Sequence, residues 1–263
     1  MRAIGTVESL WRYPVKSMRG EELPKMFAGF AGFYCDRLFA FRSSVSPEGF
    51  PYLTARDQRQ MLRYRPRFRQ PEKAVAPPNL AAAEAIAPGA TPIYGQREDL
   101  MLDVETPRGD MVAIDDPALI DLLRDALDDK HHLTLQRSER PLTDCRPLSL
   151  FAVQTVKQLA DETGIAVDKR RFRANIYLHL TDAAGFAEDE FVGRSLRLGA
   201  MTTISILQRD PRCMIITLDP ETGEKAPAVL KTVAQAHGGM AGVYGAVLVE
   251  GMVRKGDPVE LLS

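Results

Sequence analysis

Short runs of β-forming residues recur along most of the chain and constrain its fold more than any other feature of the sequence. Within these runs, apolar residues alternate with polar ones or form brief apolar stretches, as in strands with one or two buried faces. The turn-forming sequence Pro-Arg-Gly-Asp at 107–110 predicts a hairpin between two of the runs. The pattern is typical of β-barrels or sandwiches. We expect strands over residues 4–13, 38–42, 100–105, 132–136, 175–180, 195–198, 202–208, 214–218 and 244–253.

Helical signals are fewer. Asp115 or Asp116 can cap a helix that continues through Pro117 to residue 127, with leucines on one face. Two further helices are expected over residues 153–163 and 228–237, because a glycine follows each of them as a cap. The Pro- and Ala-rich residues 66–92, which include Pro88-Gly89, predict a surface excursion.

The fold class expected from these signals is mainly β (α+β), with two β-barrel-like modules and a few short helices. We place the N-terminal β-barrel module at residues 1–118 and the second module at residues 119–263, because the helix that begins near residue 116 is the natural junction. A chain of 263 residues buries enough surface to fold without disulfides or a structural metal.

Charge and hydropathy exclude several classes of partner. The chain has 34 Lys and Arg residues against 35 Asp and Glu residues, so no global field attracts nucleic acid or an anionic membrane. Neither a signal peptide nor a membrane-spanning stretch is recognisable, and we expect a cytoplasmic protein. Six arginines lie between residues 56 and 69, with Tyr64 and Phe68 among them. This basic segment could clamp a single-stranded nucleic acid, but a solvated face is the preferred interpretation.

Three cysteines lie far apart, which argues against a structural zinc site, an iron–sulfur cluster or a disulfide framework. Cys213 is the strongest candidate for chemistry, because Arg209 and Arg212 would stabilise its thiolate, which attacks electrophiles or binds soft metals. The alternative is a small buried apolar residue. Burial or a turn position explains Cys35 and Cys145, which we do not expect to be catalytic.

Two further segments are candidate anion sites. Pro14 ends the first strand, and Lys16 and Ser17 then offer an ammonium and a hydroxyl group. Residues 168–176 form a basic run that leads into an apolar strand, so Arg171, Arg173 and Asn175 would share one face. A solvated turn and a charged edge strand are the respective alternatives.

Taken together, seven motifs in register from near residue 4 to near residue 262 resemble the MOSC family, including the N-terminal barrel module of the mitochondrial amidoxime-reducing components and their bacterial relatives. The motifs are Tyr13-Pro14-Val15-Lys16-Ser17, Asp36-Arg37, Leu53-Thr54-Ala55-Arg56, Arg170-Arg171-Phe172-Arg173-Ala174-Asn175-Ile176, Glu188-Asp189-Glu190-Phe191-Val192-Gly193, Arg212-Cys213 and Asp219-Pro220-Glu221-Thr222-Gly223.

The resemblance implies a molybdenum-pterin cofactor with Cys213 as a protein ligand of the metal and as the catalytic residue. It further implies a set of residues that line the pterin, its phosphate and the metal: Lys16, Ser17, Arg37, Arg173, Asn175 and Arg212. The implied activity is the reduction of N-hydroxylated substrates. No cysteine follows Cys213, so the electrons are expected from a separate protein of the ferredoxin or flavin reductase type. Pro211 departs from the small polar residue expected beside the Arg-Cys pair.

The competing hypothesis is a sulfur carrier. In this case Cys213 would accept a persulfide from a cysteine desulfurase and deliver the sulfur to a metal-sulfur cofactor. Pyridoxal phosphate would then belong to the partner desulfurase. A third possibility is a binding module without metal chemistry. Bound molybdenum distinguishes the first hypothesis from the other two.

Overall fold

The computed structural model describes residues 2–86, 92–125, 127–128 and 130–262. The strands are β1 Arg2–Arg12, β2 Glu21–Leu23, β3 Lys25–Gly29, β4 Gly32–Phe33, β5 Phe39–Ser43, β6 Arg65–Phe68, β7 Leu102–Glu105, β8 Met111–Ala113, β9 Leu133–Arg137, β10 Leu148–Ala152, β11 Ile176–Leu180, β12 Ser195–Leu198, β13 Thr202–Pro211, β14 Met240–Val249, β15 Gly251–Arg254 and β16 Pro258–Leu261. The α-helices are α1 Leu80–Ala85, α2 Pro117–Arg124, α3 Val153–Thr163 and α4 Pro227–Ala236.

A closed barrel of seven strands organises the molecule. Its strand order is β11-β10-β14-β13-β12-β16-β1, and β1 closes the barrel by pairing with β11, while β2 extends β1 outside it. Only β10 and β11 run parallel among these pairs of described strands. Closure removes the open sheet edges that would otherwise pair with other chains. Apolar side chains from all seven strands, such as Val7, Ile176 and Val259, fill the interior.

Three smaller sheets, β15-β3-β4, β5-β9 and β6-β7-β8, accompany the barrel. The first contributes Met26, Ala28, Phe33 and Val253 to the barrel core, whereas the other two pack around a second core. Phe39, Phe41 and Leu53 are fully buried there, and Leu119 and Leu123 of α2 complete the packing. A third core lies between the barrel and helices α3 and α4, where Phe151 stacks on Phe172 with ring centroids 4.2 Å apart.

The mainly β fold with a few short helices is confirmed. Asp116 caps α2 by accepting a hydrogen bond from the Ala118 amide at 2.9 Å, although the helix ends at Arg124 rather than at residue 127. Gly164 ends α3 in the left-handed conformation, and the expected hairpin joins β7 to β8.

Two predictions about local structure are wrong. Residues 214–218 form a 3₁₀ helix over Met214–Thr217 instead of a strand, because Ile216 is buried against α4 and packing overrides β propensity. The segment after residue 66 is not a mere surface excursion, since Phe68 and Ala74 belong to the second core. Pro88-Gly89 lies outside the described residues.

Strand pairing crosses the division predicted between residues 118 and 119. Strand β1 is part of the barrel built mainly from the second half of the chain, whereas β9 pairs with β5 in the first half. Helix α2 spans the division and packs in the second core. The division into two domains at residues 118 and 119 stays a prediction. The sheets do not follow this boundary, because strands from both sides of it pair with each other. Within the described ranges, no helix is both long and apolar enough to cross a membrane.

Candidate functional site

All seven residues predicted for the site line one cleft between the barrel and the loops of the N-terminal part. Lys16, Ser17 and Arg37 come from the N-terminal side, and Arg173, Asn175, Arg212 and Cys213 come from the barrel side. Residues up to about 200 positions apart in the sequence therefore line the same cleft. Clefts between two parts of a chain are frequent locations of ligand-binding sites.

Lys16 enters the cleft directly after β1. The backbone amide of Lys16 donates to the Phe39 carbonyl at 2.8 Å, which fixes the turn after Pro14 against β5. Its Nζ atom donates to the Leu142 carbonyl at 2.8 Å and to the carboxylate of Asp144. Burial lowers the pKa of Lys16 to about 8, even though Asp144 acts in the opposite direction.

Arg37 and Arg173 approach each other across the ring of Tyr13. Their guanidinium carbons lie 4.5 and 4.3 Å from the ring centroid, respectively. Arg37 also donates to the Arg173 carbonyl at 2.9 Å and pairs with buried Asp36. Burial lowers the pKa of Arg173 to about 10, and its Nη2 atom is buried without a hydrogen-bond partner among the described residues.

Three cleft residues other than glycine have a left-handed backbone, namely Ser17 (φ 64°), Arg37 (φ 43°) and Arg173 (φ 52°). Such a conformation costs of order 1–3 kcal/mol per residue and persists only where the surrounding structure enforces it. Three other described non-glycine residues with positive φ, Cys35, Asp182 and Phe186, lie outside the cleft lining, so backbone strain is shared between the cleft and other parts of the chain.

The expected shared face of Arg171, Arg173 and Asn175 is wrong. Lys169–Phe172 is a 3₁₀ helix, and β11 begins only at Ile176. Arg171 turns away from the cleft and donates to the Thr217 carbonyl at 2.8 Å. Asn175 lines the cleft, but its amide also ties strands together, since Nδ2 donates to the Trp11 carbonyl at 3.2 Å.

Arg212 is held firmly on the barrel side. Its Nε donates to the Ala241 carbonyl at 2.7 Å, its Nη1 donates to the Phe172 carbonyl at 2.9 Å, and its Nη2 lies 2.8 Å from Asp210 Oδ2. Gly242, with φ 73°, leaves room for it, because a Cβ at this position would lie 3.1 Å from Arg212 Nη2 and 2.5 Å from the Phe151 ring.

Cys213 follows directly and is partly exposed in the cleft. It is the N-cap residue of the 3₁₀ helix Met214–Thr217 and has an extended backbone. Strand β13 runs up to Pro211 before it, so Cys213 does not stand where a turn enters a strand. The alternative of a fully buried apolar cysteine is wrong for this residue. It does hold for Cys35, where burial raises the pKa of the thiol to about 12. Cys145 is exposed beside the cleft.

Several cleft residues were missed by the sequence analysis. Asp210 is buried, accepts a hydrogen bond from Ser149 Oγ at 3.0 Å and has a raised pKa because of burial. Tyr244 and Asp144 also line the cleft. Arg56, interpreted as part of a solvated face, lines the cleft as well. The only signal for Arg56 is its place in the Leu53-Thr54-Ala55-Arg56 motif; Asp210 and Tyr244 have none.

The cleft is strongly cationic. Two carboxylates, Asp144 and Asp210, face a larger set of basic side chains: Lys16, Arg37, Arg56, Arg146, Arg173 and Arg212. Since the whole chain has a formal net charge of −1, this excess is local. A narrow basic cleft with charge-assisted donors selects anions such as phosphate and carboxylate.

Two protein-family models match this chain. The model of the MOSC domain matches residues 128–260, and that of the MOSC N-terminal beta barrel domain matches residues 4–83. No curated protein matches significantly.

The solved structures that match this chain are distant in sequence. The YuaD protein of Bacillus subtilis is 12% identical, with a TM-score of 0.48, over 99% of this chain and 97% of its own. YiiM of Geobacillus stearothermophilus is 19% identical, with a TM-score of 0.36, over 45% of this chain and 55% of its own. YiiM of Escherichia coli has a TM-score of 0.33 at 19% identity and the same coverage. The chain thus spans about half the length of the YiiM proteins. The two family matches carry the assignment.

Proposed function

This chain belongs to the MOSC domain family, and on that premise we propose that it is a molybdenum-cofactor-dependent reductase of N-hydroxylated substrates. Cys213 is the proposed protein ligand of the metal, and a separate protein of the ferredoxin or flavin reductase type supplies electrons. The observation that carries the proposal is that Cys213 and six basic or polar side chains from both halves of the chain converge on one cationic cleft.

The residues of the cleft fit such a cofactor. A pterin dithiolene with a phosphate is anionic and needs cationic donors, and the metal needs a soft ligand. The partly exposed Cys213 offers a thiol that becomes a soft ligand once it is deprotonated. The buried Nη2 of Arg173, which has no partner among the described residues, is a donor awaiting an acceptor.

Each group has a distinct part in this proposal. Lys16, Ser17 and Arg37 bind the phosphate and pterin from the N-terminal side, whereas Arg173 and Asn175 bind from the barrel side. Arg212, fixed by the carbonyls of Ala241 and Phe172, holds positive charge next to Cys213 on the barrel side of the cleft. The bound cofactor supplies the two-electron redox chemistry, and the protein orients it and excludes water.

The first experiment measures molybdenum by mass spectrometry in protein purified from a host that makes the cofactor. The parent is compared with Cys213→Ala and with Cys145→Ala as the matched control, since Cys145 lies outside the set of lining residues. Near-stoichiometric molybdenum is expected in the parent and in the control. Reduction of an amidoxime by a reduced viologen dye is expected to fall at least a hundredfold per molybdenum in Cys213→Ala.

Absence of molybdenum from the parent contradicts the reductase. In that case, a persulfide on Cys213, formed with a pyridoxal-phosphate-dependent cysteine desulfurase and detected by intact mass, would favour the sulfur carrier. Equal activity per molybdenum in the parent and in Cys213→Ala would remove Cys213 from the site.

A further inference from the structure

The N-terminal side of the cleft contains a pair of cations that share one carboxylate. Asp144 accepts a hydrogen bond from Lys16 through Oδ1, and its Oδ2 lies 3.8 Å from Arg56 Nη2. The ring of Phe50 lies under both cations, 5.0 Å from Lys16 Nζ and 4.8 Å from Arg56 Cζ. Two cations are thus oriented towards one point, and Asp144 occupies it.

Asp144 stays ionised in this position. Partial burial acts to raise the pKa of Asp144, but Lys16 and Arg56 hold it below its usual value. The carboxylate is nevertheless accessible, with 51% of its side chain exposed, whereas Lys16 is almost fully buried. Because Asp144 is accessible and Lys16 is buried, an anion from solvent can replace the Asp144 carboxylate as the partner of Lys16.

The segment that carries Asp144 is weakly held. We call residues 143–146 the strap. Before it, the Leu142 amide is anchored to the Arg37 carbonyl at 3.0 Å. Among the described residues, no backbone–backbone hydrogen bond involves Asp144, Cys145 or Arg146. Apart from the Asp144 contacts, the strap has a hydrogen bond from the Thr143 amide to the nearby Pro141 carbonyl at 2.8 Å and two contacts with the side chain of Gln208. Arg146 Nη2 donates to Gln208 Oε1 at 3.3 Å, and Gln208 Nε2 lies 4.0 Å from Cys145 Sγ. Release of Asp144 would therefore free most of the strap.

We propose that Lys16 and Arg56 form an anion subsite in which Asp144 is a resident counter-ion, and that the phosphate group of an incoming ligand displaces Asp144 and releases the strap. This inference rests on the proposed function for the identity of the ligand. A phosphate monoester carries about two negative charges at neutral pH, against one for the carboxylate, so it competes successfully with the tethered group. Asp144 thereby keeps the empty subsite neutralised and discriminates against singly charged anions.

The experiment measures binding of inorganic phosphate by isothermal titration calorimetry at low salt, using protein freed of bound cofactor. Asp144→Asn keeps the size of the side chain and removes the competing charge. We expect its phosphate Kd to be about tenfold lower than that of the parent. Asp121→Asn on α2 is the control, because it changes the net charge equally at an exposed position remote from the lining residues. Its Kd should stay within twofold of the parent value.

Hydrogen exchange of the strap provides a second readout that does not depend on affinity. In the parent, amides of residues 143–146 should exchange faster after phosphate is added. In Asp144→Asn they should already exchange fast without phosphate. A phosphate Kd that is unchanged or higher in Asp144→Asn would overturn the proposal, because Asp144 would then position Lys16 for binding instead of competing. Strap exchange that slows on phosphate binding would overturn the release step.

The outcome is separable from that of the proposed function. Molybdenum content is measured on the same variants before the cofactor is removed. A parent without molybdenum but with the expected phosphate behaviour leaves the subsite intact and removes the reductase. If the parent contains molybdenum but Asp144→Asn binds phosphate more weakly than the parent, the reductase is supported and the displacement of Asp144 is contradicted.

Discussion

The two walls of the cleft hold their charges in different ways. On the barrel wall, Arg212 donates to two backbone carbonyls and pairs with Asp210, which is itself buried. On the N-terminal wall, Lys16 also donates to a backbone carbonyl, that of Leu142, but its charged partner is the half-exposed Asp144, carried by the strap. Fixed carbonyls cannot leave when a ligand arrives, but an exposed carboxylate can. The barrel wall is thus built before binding, and the N-terminal wall is partly exchangeable.

The largest effect that tests this contrast is expected at Arg212. Replacement by Met leaves the Asp210 carboxylate buried without its cation and the carbonyls of Ala241 and Phe172 without their donor. We expect Arg212→Met to lower the free energy of unfolding by about 3–5 kcal/mol in urea titrations. The double variant Arg212→Met/Asp210→Asn should recover part of that loss, since it removes the unpaired charge. A loss below 1 kcal/mol would show that the barrel wall is not preformed.

A smaller effect is expected from the pH dependence of anion binding on the N-terminal wall. The pKa of Lys16 is lowered to about 8 by burial, so its positive charge is present below pH 8 and lost above it. Sulfate is a suitable probe because its charge does not change in this range. Its affinity should fall about tenfold between pH 7 and pH 9.

The same titration with Asp144→Asn sharpens the prediction. Asp144 raises the pKa of Lys16, so its removal should move the midpoint to lower pH. Sulfate affinity that does not change across pH 8 in either protein would contradict an anion site on Lys16. A midpoint that stays in place in the variant would contradict the coupling to Asp144.

The smallest effect on stability is expected at Arg56. About a third of its side chain is exposed, and its partner Asp144 is half exposed. Exposed ion pairs contribute about 0–1 kcal/mol, so Arg56→Met should change the free energy of unfolding by less than 1 kcal/mol while weakening phosphate binding. Comparison with Arg212→Met under identical conditions measures the difference between the walls. Equal losses of stability in Arg56→Met and Arg212→Met would contradict the difference between the two walls.

The sequence predicted more of the site than of its local backbone. Cys213 with Arg212, and Lys16 with Ser17, follow from short motifs in which the chemistry is carried by adjacent residues. The left-handed conformation of Arg173 was missed, because a run of basic residues before Ile176 has the same pattern whether it is a strand or a 3₁₀ helix. Tertiary contacts, such as Arg171 with the Thr217 carbonyl, decide between the two.

Asp144 and Asp210 show why the remainder was not predictable. Asp144 meets Lys16 across 128 positions of sequence, and no local pattern encodes such an encounter. Asp210 lies near the end of β13, where the pairing with β14 shifts register between Arg209 and Pro211. An irregularity of this kind changes which face a residue occupies, so simple alternation of polar and apolar residues does not place it.

The closure of the barrel by β1 has a consequence for the order of events during synthesis. Arg2 pairs with Leu261, so the first strand must wait for the last one. At roughly 5–20 residues per second, the ribosome takes about 10–50 s to produce the chain between them. During that interval β2 and later β11 can pair with β1, but the edge of β1 that pairs with β16 stays open. The protein therefore depends on late, long-range closure, which favours slow folding and a need for chaperones on the nascent chain.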